Sequence, residues 1–120
     1  LPEELRLKKT VARLATYLQG YGDLMVKTND WDPAVLERFR ADTVVQSVGG
    51  GIDHKATAEQ IEHIATLIPG EWLEPSATGS AQQCVARIRK EFDYGADALI
   101  MHGASPDELE PIVAAYRATV

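Results

Sequence analysis

Apolar residues recur along this chain at helical spacing, and glycine, proline and short acceptor side chains punctuate the periodic stretches. Leu7, Val11, Leu14 and Leu18 fall four, three and four residues apart, which predicts one face of a helix from about Pro2 to Gln19. Arg6, Lys9, Arg13 and Thr16 take its other faces. Gly20-Tyr21-Gly22 breaks the pattern, and Asp23 to Thr28 supplies another helical turn or two. Asn29-Asp30-Trp31-Asp32 reads as a turn, after which Asp32 and Pro33 open a helix as acceptor cap and first-turn proline. Val35, Leu36 and Phe39 mark its buried face, and the pattern carries on through Val44, Val45 and Val48.

Gly49-Gly50-Gly51 is the strongest break. Thr57 then caps a helix and Gln60 completes a capping box, with Ile61, Ile64, Leu67 and Ile68 as the apolar stripe. Pro69-Gly70 ends it, and Trp72 and Leu73 plug the following loop. Ser80 and Gln83 form a second capping box before the stripe Cys84, Val85, Ile88 and Phe92, which Gly95 stops. Ser105-Pro106-Asp107-Glu108 opens a last helix with a cap, a first-turn proline and a capping-box acid. Pro111 removes one hydrogen bond from it, so a slight kink or a start nearer Pro111 is expected.

One stretch departs from helical spacing. Ala98-Leu99-Ile100-Met101 is an apolar run without alternation, set between Gly95 and the turn His102-Gly103-Ala104. This predicts a strand buried on both faces. Such a strand needs neighbours on both edges, and no second convincing strand is present. The chain therefore reads as part of a larger α/β protein. Its start at Leu1, without an initiator Met, reads the same way.

A length of 120 residues allows one domain at most, and 45% hydrophobic residues can fill its core. The net charge of -6, with its basic residues scattered among acids, argues against nucleic acid as a partner. No apolar run approaches the roughly 20 residues that span a bilayer, and no signal-peptide pattern opens the chain. The single cysteine, Cys84, excludes an internal disulfide and fits a reducing cytoplasm.

Little chemistry stands out. His54, His63 and His102 match no zinc-ligand spacing. Cys84 sits on an apolar helical face and reads as a buried structural thiol, since a nucleophile needs an electropositive, open setting. The pairs Glu3/Glu4 and Asp107/Glu108 lie in first helical turns, where they complement the helix dipole. Gly49-Gly50-Gly51 lacks the flanking residues of a phosphate loop, which favours a flexible linker. Gly79-Ser80 at a helix start is a better anion candidate, although capping alone accounts for it. His102 follows the apolar run directly, at the end of a strand where parallel α/β folds bind ligands, and Gly103 would let a ligand approach the backbone. A histidine that bonds to neighbouring loops is the alternative.

Three segments together carry a resemblance. They are Gly79-Ser80-Ala81-Gln82-Gln83-Cys84-Val85-Ala86-Arg87-Ile88, then Phe92-Asp93-Tyr94-Gly95-Ala96-Asp97, then the run ending His102-Gly103-Ala104. With Tyr17-Leu18-Gln19-Gly20-Tyr21-Gly22, Asn29-Asp30-Trp31-Asp32 and Ile68-Pro69-Gly70-Glu71-Trp72, they resemble the C-terminal part of the luciferase-like monooxygenase superfamily. More narrowly, they resemble its coenzyme F-420-dependent oxidoreductase branch.

The resemblance implies a (β/α)8 TIM-type barrel, of which this chain would be about the last third. Ala98–Met101 would be the eighth strand and the helix from Ser105 the last barrel helix. Residues 1–120 would form one segment with a flexible break at 49–56, mostly α in isolation. The intact protein would bind coenzyme F-420 or FMN and move a hydride to or from a small organic substrate. Gly79, Ser80, His102 and Gly103 would approach the cofactor. No metal and no catalytic residue carries over. The isolated chain would bind no cofactor and lack activity. It would be cytoplasmic, without nucleic-acid or membrane partners, and would self-associate or pair with the rest of the barrel. The alternative is a stand-alone helical interaction or oligomerisation module without catalysis, in which Ala98–Met101 is absorbed into a helix or loop.

Overall fold

Short helices account for all regular structure in residues 2–119, which the computed structural model describes. They divide into two units, Leu1–Leu73 and Glu74–Val120. The first unit opens with α1 (Glu3–Leu7), a π-helical turn (Lys8–Ala12) and α2 (Arg13–Asn29). Within this run Thr10 Oγ1 donates to the Arg6 carbonyl at 2.8 Å and Thr16 Oγ1 to the Ala12 carbonyl at 3.0 Å. Such back-bonding offers the carbonyls an alternative partner and loosens the regular ladder. The expected break at Gly20-Tyr21-Gly22 is a kink instead. Tyr21 leaves helical geometry at φ -130° and ψ 18°, and the helix runs on to Asn29.

Asp30, left-handed at φ 54°, ends α2. The Asp32 carboxylate then accepts the Ala34 N–H at 2.9 Å and Pro33 leads α3 (Pro33–Ala41), as the sequence predicts. The valines beyond belong to a separate helix, α4 (Thr43–Val48), because Asp42 is extended and caps it afresh. Gly49-Gly50-Gly51 follows, and the expected flexible break at 49–56 holds a further short helix, α5 (Ile52–Lys55), whose Ile52 is fully buried. The Thr57–Gln60 capping box starts α6 (Ala58–Ala65), and Gly70 begins a single turn, α7 (Gly70–Leu73).

The core of this unit gathers Val11, Leu18, Phe39, Ile52 and Ile64, each essentially without solvent exposure. Ala12, Ala15 and Gly22 share the buried face of the first helical run. Trp72 is buried and stacks on Trp31, with ring centroids 4.3 Å apart and planes 10° from parallel. Helices α2 and α3 pack tightly at Gly22. A β-carbon there would lie 2.7 Å from Leu36 Cδ1.

The second unit pairs α8 (Ala81–Asp93) with α9 (Pro106–Arg117). Both begin with complete capping boxes, Ser80 with Gln83 and Ser105 with Glu108. Helix α8 ends in a Schellman motif. The Gly95 N–H bonds to the Phe92 carbonyl at 2.9 Å and the Ala96 N–H to the Glu91 carbonyl at 3.2 Å. Gly95 itself sits at φ 111°, where a side chain would be strained. Helix α9 starts at Pro106 and passes through Pro111.

The predicted strand is absent, and with it the (β/α)8 barrel segment. Ala98–Met101 is an irregular stretch between α8 and α9, and no strand or sheet occurs among the described residues. Ile100 is 91% exposed. No backbone–backbone hydrogen bond within the described residues involves Ala98–Met101. A strand forms only where an adjacent strand takes up its N–H and C=O groups, and none is present to do so.

The contact at Gly22 makes a paired test. Gly22→Ala should lower the unfolding free energy by about 1–2 kcal/mol, because the new methyl must displace a core leucine. Gly20→Ala, with nothing within 4 Å of its β-carbon, should leave stability unchanged or raise it by up to about 1 kcal/mol through helix propensity. Urea unfolding of both variants checks the contrast.

Candidate functional site

The residues singled out as cofactor-binding, Gly79, Ser80, His102 and Gly103, all fall in the second unit. Gly79 and Ser80 lie at the N-terminus of α8. There Ser80 Oγ accepts the Gln83 N–H at 3.1 Å, and Gln83 Oε1 accepts the Ser80 N–H at 2.8 Å. The Gln83 side chain folds back across Gly79. Two of the donors a phosphate would use are therefore already taken within the helix.

His102 and Gly103 lie in the turn before α9, and His102 is exposed. Helices α8 and α9 meet through their C-terminal parts. Phe92 meets Tyr116 with ring centroids 6.4 Å apart, and Arg89 donates to Thr119 while its guanidinium lies 4.8 Å from the centre of the Tyr116 ring. The two candidate pairs sit on different segments, Gly79 and Ser80 before α8 and His102 and Gly103 before α9.

Other polar groups of this unit have structural partners. Arg87 and Lys90 both reach Glu74 Oε1 at 3.3 Å, and Arg87 also pairs with Glu91 one turn on. A hydrogen bond with Tyr94, seconded by Glu74, raises the Lys90 ammonium above its ordinary value. Burial pushes the Cys84 thiol up, which favours the neutral form and suits the structural role read from its apolar face.

The first unit contains a pair that sequence spacing does not reveal. Asp42 divides its carboxylate between two tasks. Oδ1 accepts the Val44 and Val45 N–H groups at 2.9 and 3.1 Å, capping α4, while Oδ2 lies 2.8 Å from His63 Nε2 on α6. Partial burial works to raise the Asp42 carboxyl, but the bond to His63 and the two backbone donors outweigh it and hold the group below its ordinary value. Twenty-one residues separate the partners, so only the fold joins them.

A groove of about 540 Å³ lies between α2 and α3. Val26 and Leu36 contribute its apolar surface, Trp31 lines it, and Asp23, Lys27, Glu37 and Arg40 add charges of both signs. Arg40 Nη1 donates to Asp23 Oδ1 at 3.0 Å, which ties up one cation with one anion. The interleaved charges give the groove no single pole to offer a ligand. No group of three or more histidine, cysteine or acidic side chains among the described residues is placed to hold a metal ion. No described helix is long and apolar enough to cross a membrane.

No family model, curated protein or solved structure matches the chain.

The Asp42 pair should show in the pH dependence of stability. A carboxyl held below its ordinary value of 3.8 contributes fully above that pH and loses its contribution as pH falls through the lower folded value. Asp42→Asn keeps a capping acceptor but no charge. Its thermal unfolding should fall below that of the parent near neutral pH, and the gap should narrow below pH 3.8. A separate contrast concerns the α8 cap and the exposed histidine. Ser80→Ala should cost about 1 kcal/mol through the lost cap. His102→Ala should stay within about 0.5 kcal/mol of the parent, as exposed substitutions do. Denaturant titration measures both.

Proposed function

We propose that this chain is the helical part of a luciferase-like, flavin- or deazaflavin-dependent oxidoreductase that, when assembled, transfers hydride to or from a small organic substrate. The support is the run of resembling segments from Gly79 to Ala104, together with Tyr17–Gly22, Asn29–Asp32 and Ile68–Trp72. The observation that carries the reading is Ala98–Met101, an apolar segment that leads into His102 and Gly103 yet leaves Ile100 almost fully exposed. Such a segment is stabilised by polypeptide that supplies hydrogen-bonding edges and apolar contacts.

Coenzyme F-420 or FMN would supply the hydride chemistry of the assembled protein. The α8 N-terminus is closed by its own capping box, which takes up two of the backbone donors that would meet a cofactor phosphate. No chemical step is assigned to this chain alone, and its contribution is positional. The lone buried thiol accords with a reducing, cytoplasmic setting.

A second reading, a helical interaction module without catalysis, draws on one observation. Residues 3–73 close a core of their own while Tyr17, Tyr21 and Leu24, spaced along one face of α2, stay between 43% and 64% exposed.

Fluorescence titration with FMN and with coenzyme F-420 separates the two. The product of the full reading frame that contains these residues should bind one of the cofactors, and the 120-residue chain should bind neither. Failure of the full product to bind either would overturn the oxidoreductase reading and leave the interaction module.

A further inference from the structure

We draw no further inference here: the strongest candidate, the exposed face of α2 formed by Tyr17, Tyr21 and Leu24, carries nothing because nothing in the structure shows what covers it.

Discussion

The first unit rests on a core to which four separate helices each contribute a large, fully buried side chain. Leu18 comes from α2, Phe39 from α3, Ile52 from α5 and Ile64 from α6. Apart from α2, none of these helices exceeds nine residues. Isolated helices shorter than about 12–15 residues are marginal in water, because nucleation costs more than so few hydrogen bonds return. Each therefore persists by burying its stripe against the others. No polar or charged residue of the described chain is fully buried. The polar ties sit at the edge of this core instead: Thr16 with Asp53 at 2.9 Å, Gln19 with the Gly49 carbonyl at 2.6 Å, and Asp42 with His63. They set how the helices meet, while apolar burial holds them together.

Helix starts obey a second, more local constraint. Asp32, Asp42, Thr57, Ser80 and Ser105 each accept a backbone N–H that the helix itself cannot satisfy. Three of the five add a reciprocal glutamine or glutamate. A cap involves residues two or three apart, so its chemistry is complete within a short stretch of sequence. The starts of α3, α6, α8 and α9, and the stop at Gly95, were legible for that reason. Asp42 shows the limit. The valines beyond it continue an apolar pattern, and only its extended backbone reveals that a new helix begins there.

What depended on distant partners was not legible. The buried positions of Ala12, Ala15 and Gly22 depend on which neighbouring helices cover them, and small residues give periodicity little to register. Helices α5 and α7 have four residues each, about one turn, too short to show a period. The Asp42–His63 pair spans two helices that the sequence places in different segments. Of the candidate site, the local features were legible, namely the Ser80 cap and the turn at His102-Gly103. The meeting of Phe92 and Arg89 with Tyr116 was not, because it depends on the packing of α8 against α9.

The largest misreading is also the most instructive. An apolar run describes what a segment would bury, whereas strand describes what its backbone bonds to, and the first does not entail the second. Ala98–Met101 has the side chains of a doubly buried strand and the surroundings of a loop. Covering Ile100, 91% exposed, would be worth about 2 kcal/mol, and covering what remains of Leu99 would add less. The described chain leaves that free energy uncollected. The caps and core of the helices are satisfied without it, so the two functional readings part at this segment. The discriminating position is the junction where this exposed segment meets His102 and Gly103: an oxidoreductase needs polypeptide against it, and an interaction module built on residues 3–73 does not.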